Sequence, residues 1–162
     1  MIAIHPTARV SALADIEDSV RGTVITIGPY AVVDAFVKIK PAGGTGDVTI
    51  GSHSTINSGV TIFTGNGVTI GDDVLIGANV VLGATSHNYA DRNSLIREQG
   101  FVESKGGILI EDDSWVGPNS TVLDGAVVSR GCVVSAGSIV MTQLKPYCVY
   151  AGNPLRLIGE RA

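Results

Sequence analysis

The sequence predicts an all-β protein whose chain winds into a triangular coil with one short strand on each side. Three observations support this prediction: a six-residue spacing of aliphatic residues, a glycine content of 21 residues, and an aromatic content of 5%. The spacing is clearest in the second half of the chain, at Ile110, Val116, Val122, Val128, Val134 and Val140. Such a period fits neither the 3.6-residue turn of a helix nor a long alternating strand. Three repeats therefore form one turn of a parallel β-helix, a triangular prism.

The same spacing runs through the first half of the chain. It appears at Ile4, Val10, Ile16, Ile27, Val33, Ile39, Ile50, Ile56, Ile62, Ile70, Ile76 and Leu82. Each aliphatic side chain is predicted to point inward, with Gly, Asp or Asn at the corner that follows. Turns that stack at the interstrand spacing of about 4.8 Å would give roughly seven turns in a prism about 35 Å tall.

Composition limits the chain to one domain, residues 1–162. A hydrophobic content of 44% is enough for one continuous core. The first residues lack a cationic segment followed by an apolar run, and the sequence has no apolar stretch of about 18 residues. We therefore expect a cytoplasmic protein that does not insert into membranes. Cys132 and Cys148 fit neither a disulfide framework nor a metal motif, and we interpret both as packing residues.

The net charge of −4 is unevenly distributed. Residues 125–162 carry four basic side chains against the single acid Glu160, a net +3 that leaves −7 for the remainder. Either a small polyanion binds this basic end or the end is a solvated tail; charge alone leaves both open. The chain has no dense Lys/Arg run with interleaved aromatic residues, so we expect no nucleic acid partner.

Three interruptions of the repeat predict inserted segments. Two are short: the shift between Ile16 and Ile27, and the glycine-rich residues 41–47. The third, residues 83–107, is 25 residues long and contains His87, Tyr89 and six charged side chains. A segment this long without repeats in a compact domain is typical of a functional loop. Beyond Val140 we predict a cap at residues 145–162, with a short C-terminal helix at residues 155–162 that covers the open end of the prism.

The hexads, together with Ser86-His87-Asn88-Tyr89-Ala90-Asp91 and the later Gln99-Gly100, resemble the hexapeptide-repeat acyltransferases, and in particular their sugar O-acetyltransferases. The resemblance implies a left-handed β-helix and a homotrimer with active sites in the grooves between adjacent prisms. It also implies acetyl-CoA as the acyl donor and His87 as the general base. A neutral imidazole with a pKa of about 6.5 can accept the acceptor's proton at cell pH. No such context surrounds the other two histidines, His5 and His53, which we interpret as inert.

The same resemblance suggests further site residues. Trp115 stands in an outward position of its hexad within a tryptophan-aliphatic-glycine sequence that the family carries near the active site. Trp115 is therefore expected to line the groove or to pack on a neighbouring subunit. Acceptor binding is assigned to Trp115, Tyr89 and Asn57, although Asn57 is equally a normal corner residue.

The family's coenzyme A segments resemble residues near the C-terminus. Small residues would let the pantetheine arm lie against the backbone, and an arginine would meet the nucleotide phosphates. The cofactor residues predicted in this way are Gly117, Ala136, Gly137, Thr142, Gly152, Asn153, Pro154 and Arg156. Gln143 departs from the family, which usually has lysine there, and Lys145 is the candidate substitute.

Three alternative functions differ in what they require. The acceptor is a hydroxyl of a sugar or surface-polysaccharide precursor, or the amine of a nucleotide-linked amino sugar; a histidine base serves both. A γ-type carbonic anhydrase, which shares this fold, would need three histidine ligands for zinc, yet no histidine lies within thirty residues of His87, so we expect no metal. An ice-binding or inert scaffold would show ranked threonines and would not need the long loop. We therefore predict an acetyl-CoA-dependent O-acetyltransferase.

Overall fold

In the computed structural model, which describes residues 1–162, every hexad forms one short strand and one corner. The strands are β1 (Ile2–Ile4), β2 (Arg9–Val10), β3 (Asp15–Ile16), β4 (Ile25–Ile27), β5 (Val32–Val33), β6 (Lys38–Lys40), β7 (Val48–Ile50), β8 (Thr55–Ile56), β9 (Thr61–Phe63), β10 (Val68–Ile70), β11 (Leu75–Ile76), β12 (Val81–Gly83), β13 (Ile108–Ile110), β14 (Trp115–Val116), β15 (Thr121–Leu123), β16 (Val127–Val128), β17 (Val133–Val134), β18 (Ile139–Val140), β19 (Cys148–Ala151) and β20 (Arg156–Glu160). The first eighteen make six complete turns of three strands, and β19 begins a seventh.

Three parallel sheets form the sides of the prism. The first, second and third strands of successive turns stack as sheets A, B and C, in register from turn to turn. In sheet A, for example, Ile50 pairs with Ile27 below it and with Ile70 above it. The chain passes from A to B to C in each turn, which defines an A–B corner, a B–C corner and a C–A corner. The A–B and B–C corners each contain four residues in every one of the six turns, such as residues 71–74 and 77–80 of the fourth turn.

The predicted inward positions form the core. All fifteen hexad aliphatics from Ile27 to Val140 are at most 1% exposed. In the first turn Ile4 is 46% exposed, because no turn lies beneath it. Cys132 and Cys148 are free and buried, which confirms their interpretation as packing residues. Burial raises the pKa of the Cys132 thiol, which donates a hydrogen bond to the Lys145 carbonyl at 2.8 Å.

All three interruptions of the repeat fall at the C–A corner. They occupy residues 17–24, 41–47 and 84–107, in the first, second and fourth turns. In the second, Asp47 Oδ1 accepts a hydrogen bond from Val24 N at 2.8 Å, which ties the two short insertions together. A Cβ on Gly46 would overlap the backbone of Gly67, so a glycine is needed for this close approach.

Helical structure is limited to a 3₁₀ turn, Ile96–Glu98, and no helix of the structure is long and apolar enough to cross a membrane. The predicted helix at residues 155–162 is wrong. Strand β20 occupies this segment and pairs antiparallel with β19 at the top of sheet B. The free edge of β19 offers backbone partners that a short exposed helix lacks, and edge pairing outweighs the weak local helix propensity. Tyr150 and Leu155 pack on the upper end of the core.

We expect Ile70→Ala to lower the free energy of unfolding by about 2–5 kcal/mol, because it leaves a cavity in a file of buried aliphatics. Guanidinium unfolding followed by circular dichroism measures the change. Thr49→Ala, on the outer face of the same sheet, is the control, with an expected change within about 0.5 kcal/mol. Equal effects of the two substitutions would contradict the assignment of inward and outward positions.

Candidate active site

His87 lies on an antiparallel ribbon that leaves the coil after β12. The ribbon belongs to the His87 loop, residues 84–107. His87 bridges Phe101 on the opposite arm, and the two ring centroids are 4.6 Å apart. Backbone hydrogen bonds flank this bridge on both sides: Asn88 N donates to Gly100 O, and Val102 N donates to Ser86 O, each at 2.9 Å. The imidazole is exposed, yet its backbone is paired, so a reactive group is presented to solvent from a defined position.

Gln99 holds the tip of the His87 loop closed. Its Nε2 donates to Asp91 O at 2.7 Å and to Ser94 O at 2.9 Å, while its Oε1 accepts from Asp91 N at 3.0 Å. The Asp91 carboxylate accepts hydrogen bonds from Asn93 N and Ser94 Oγ, and these bonds lower the pKa of Asp91. Side-chain hydrogen bonds therefore hold the tip of the loop, which has no buried apolar core of its own.

A cavity of about 150 Å³ lies between the His87 loop and the outer face of sheet C. Leu123 stands directly above Gly83 in sheet C and contributes to the floor of the cavity. The loop contributes Val102 and Lys105 as the opposite wall. The complete lining is Gly83, Thr85, Ser86, Val102, Lys105, Leu123, Asp124 and Met141. The ribbon that carries His87 is therefore not packed against the prism beneath it.

The predicted acceptor-binding residues lie in three places. Tyr89 is 72% exposed near the loop tip, on the same segment as His87. Asn57 lies at the B–C corner of the third turn, where its Nδ2 donates to Ile76 O at 2.7 Å. Trp115 is 48% exposed on the outer face of sheet B. Within one chain only Tyr89 shares the loop with His87; Asn57 lies at the edge of sheet C away from that loop, and Trp115 lies on sheet B.

The predicted coenzyme A residues flank the upper part of sheet C. Gly117, Ala136 and Gly137 stack at the B–C corner, where residues 152–154 continue the file, whereas Thr142 stands exposed near the C–A corner. The two predicted glycines at this corner differ in their surroundings. A Cβ on Gly117 would lie 2.5 Å from Ala136 N, so glycine there allows the turns to stack, while nothing lies within 4 Å of a Cβ on Gly137. Gly137 therefore leaves exposed backbone open to a ligand.

The basic C-terminal end of the chain, residues 125–162, has two basic side chains in ion pairs and two outside them. Arg130 pairs with Asp112 at 3.3 Å and Arg161 with Asp113 at 3.0 Å, and Arg161 also donates to two backbone carbonyls. These two arginines hold the C-terminal segment and the A–B corner together. Arg156, exposed at the start of β20, and Lys145, exposed before β19, are the cations of this end outside those pairs. Only Arg156 and Lys145, which lie outside the ion pairs, are therefore suited to bind a polyanion.

Three further observations concern the alternative functions. No three His, Cys, Asp or Glu side chains cluster as a metal site in the chain. His53 stacks on Tyr30 at the A–B corner, with ring centroids 5.0 Å apart, while His5 bonds Thr7 in the first turn. Three threonines, Thr26, Thr49 and Thr69, are aligned in register on the outer face of sheet A, but the next residue of this column is Leu109.

Comparison with known proteins places the chain in a family. A profile described as the hexapeptide repeat of succinyl-transferase matches residues 46–84 and 107–141, on either side of the His87 loop. An acetyltransferase with hexapeptide repeats from Vibrio cholerae, crystallised with acetyl coenzyme A, is 30% identical over 83% of this chain and 70% of its own, with a TM-score of 0.72. The chain therefore belongs to the hexapeptide-repeat acyltransferases, and its coil is their left-handed parallel β-helix.

A second solved structure covers nearly the whole chain. It is a variant of AntD, an N-acyltransferase from Bacillus cereus, crystallised with dTDP-4-amino-4,6-dideoxyglucose and coenzyme A. It is 25% identical over 99% of this chain and 84% of its own, with a TM-score of 0.83. Comparison with curated protein sequences gave no match.

Proposed function

We propose that this acyltransferase moves an acetyl group directly from acetyl-CoA to a hydroxyl of a sugar or surface-polysaccharide precursor, with His87 as the general base. The observation that carries this proposal is the exposed imidazole of His87 on a paired ribbon beside the prism. A base must combine access to substrate with a fixed position, and this ribbon supplies both. The Phe101 ring lies against the imidazole, with the ring planes tilted by 31°.

The proposed chemistry needs no covalent enzyme intermediate. The imidazole of His87 takes the proton of the acceptor hydroxyl while the oxygen attacks the thioester carbonyl carbon. When the tetrahedral intermediate collapses, the carbon–sulfur bond breaks and the imidazolium returns its proton to the departing thiolate. The products are the acetyl ester and free coenzyme A thiol. Cys132 and Cys148 are buried in the core, which is consistent with a direct transfer.

Coenzyme A is proposed to lie along the upper part of sheet C. The open backbone at Gly137 and the exposed Ala136 would accept the pantetheine arm, together with Gly117, Thr142 and residues 152–154. Arg156 and Lys145 would meet the phosphates, because the other basic side chains of this end are paired with aspartates. Lys145 would then supply the contact for which relatives use a lysine at the position of Gln143.

A second candidate acceptor is the amine of a nucleotide-linked amino sugar. The AntD variant favours it, because that N-acyltransferase was crystallised with such a sugar and is 25% identical to this chain. A histidine base is compatible with both acceptors, so the choice depends on acceptor contacts such as those proposed for Asn57, Tyr89 and Trp115. In either case we propose that the enzyme acts in the cytoplasm, on precursors of surface glycans.

The active form is proposed to be a homotrimer in which sheet B packs on a neighbouring protomer. Its outer face carries a file of side chains in register: Val32, Thr55, Leu75, Trp115, Val133 and Val149. Leu75 is 49% exposed and Trp115 is 48% exposed, an apolar pair that a neighbouring copy would cover. Packing of this face would also bring Trp115 of one protomer towards the groove that His87 of another would line.

His87→Ala is expected to lower acetyl transfer by at least about 100-fold, because a general base contributes about 10²–10⁴-fold. Thermal melting should stay near wild type, since the side chain is exposed. Release of coenzyme A thiol measures the rate. His53→Asn is the matched control: it removes an exposed imidazole at a corner with φ of 59°, which asparagine tolerates, and should retain full activity. Turnover by His87→Ala at the wild-type rate would refute the base assignment.

A panel of acceptors is expected to separate the two candidate functions. Glycans and nucleotide sugars with free hydroxyls form one arm, and nucleotide-linked amino sugars form the other, each with acetyl-CoA as donor. The proposal predicts that thiol release depends on the hydroxyl acceptors and that the product is an ester, cleaved by mild base. An alkali-stable amide as the only product would establish the second candidate instead.

Leu75→Glu is expected to reduce the trimer to monomers, because it places a charge in the apolar file on sheet B. Sedimentation velocity measures the change. Thr69→Glu, in the same turn but on sheet A, should leave the assembly intact. A trimer that survives Leu75→Glu and dissociates with Thr69→Glu would show that the neighbours pack on sheet A.

A further inference from the structure

Asp124 is a buried carboxylate at the C–A corner of the fifth turn, directly after β15. It is 8% exposed and accepts three hydrogen bonds. Its Oδ1 accepts from Gly107 N at 2.8 Å, and its Oδ2 accepts from Lys105 N at 2.9 Å and from Asn66 Nδ2 at 3.1 Å. A carboxylate suits this place, because its oxygens accept hydrogen bonds and all three groups that face it are donors.

Two of these donors are the backbone of the returning end of the His87 loop. This end is also held by shape. A Cβ on Gly107 would lie 2.5 Å from Gly67 O, and a Cβ on Gly125 would lie 2.7 Å from Lys105 Cβ. These close contacts fix where the returning end lies on the prism, and Asp124 supplies its hydrogen-bond acceptors.

The departing end of the loop is held at Ala84, which is buried in the core. Ala84 N donates to Phe63 O at 3.2 Å, and Ala84 O accepts from Asn66 N at 2.9 Å. Beyond Ala84, the side-chain contact with the neighbouring corner is the bond from Thr85 Oγ1 to Gly43 O, at 3.4 Å, near the limit of a hydrogen bond. Because a cavity of about 150 Å³ lies beneath the ribbon, the position of the ribbon depends on the two ends of the loop, and Asp124 holds the returning end.

The path from Asp124 to the imidazole is short. From Lys105 the chain reaches Val102 within three residues, and Val102 N donates to Ser86 O at 2.9 Å. Phe101, the next residue, bridges His87 and its ring contacts the imidazole. The bridge and the ring contact are therefore the route by which a shift of the returning end would reach His87.

We propose that Asp124 is a positioning residue that sets the register and height of the His87 ribbon over sheet C. This inference rests on the proposed role of His87 as the base. Asp124 does not touch the reacting atoms and acts through Lys105 and Gly107. Because a misplacement of about 1 Å can lower a rate about 100-fold, loss of this anchor is expected to lower turnover.

The test compares Asp124→Asn, Asp124→Ala and wild type in steady-state acetyl transfer and in limited trypsin digestion. Asparagine must turn an N–H group towards one of the donors, so it should lower kcat by about tenfold; alanine leaves three donors unpaired and should lower kcat by about 100-fold. The KM for acetyl-CoA should stay within about twofold, because the Asp124 carboxylate is hydrogen-bonded to none of the proposed coenzyme A residues. Trypsin should cut faster at Arg92 and Arg97, both exposed within the loop.

Val122→Ala is the matched control. It lies on the same strand, removes a buried core side chain and destabilises the protein without touching the loop. It should lower Tm while kcat and the rate of trypsin cleavage in the loop remain near wild type. If Asp124→Ala folds poorly, Asn66→Ala removes one donor from the same carboxylate and should give a smaller change of the same kind.

Two results would overturn the inference: a kcat for Asp124→Ala equal to that of Val122→Ala, or unchanged cleavage of the loop. If the wild-type protein itself transferred no acetyl group to any acceptor, the proposed function would fail. In that case the trypsin digestion would still decide whether Asp124 anchors the loop.

Discussion

Stacking of one turn directly on the next is the interaction on which the rest of this protein depends. No strand of the coil exceeds three residues before β19, so none buries its own apolar side chains or satisfies its own backbone. Each strand obtains both from the turns above and below, in register. This constraint explains why buried aliphatics repeat at one spacing, why Ala, Ser, Cys or Val stands before the strands of sheets B and C from β2 to β18, and why the exposed first turn is the least buried part of the core.

The sequence predicts those features of the structure that recur in every turn of the stack. The inward position of residues such as Ile62 and Val122 follows from spacing alone, because every hexad has the same surroundings. The C-terminal segment could not be predicted in this way. Its pairing partner is the free edge of β19, and a free edge exists only once the prism has been assembled. Local propensity then has little weight, and residues 156–160 form a strand where a helix was expected.

The candidate site, too, could be predicted from the sequence only in part. His87 could be proposed from the sequence, because the chemistry of an imidazole and its place in an interruption of the repeat are local facts. The support of His87 could not be identified from the sequence. Asp124 stands in an ordinary Leu-Asp-Gly corner, 37 residues after His87, and only alignment of the corners places its carboxylate beneath the returning loop. The separation of Asn57 and Trp115 from His87 within one chain likewise depends on which corner each residue occupies.

The concentration of all three insertions at one corner has a consequence for how such a protein can change. The A–B and B–C corners keep four residues in each turn, so they fix the pitch of the coil. The C–A corner acts as a seam at which chain can be added or removed while the strands on either side stay paired. New loops, and with them new acceptor preferences, can therefore arise along this edge without any change in the core. Because every such loop emerges beside sheet C, successive additions would extend a single substrate surface.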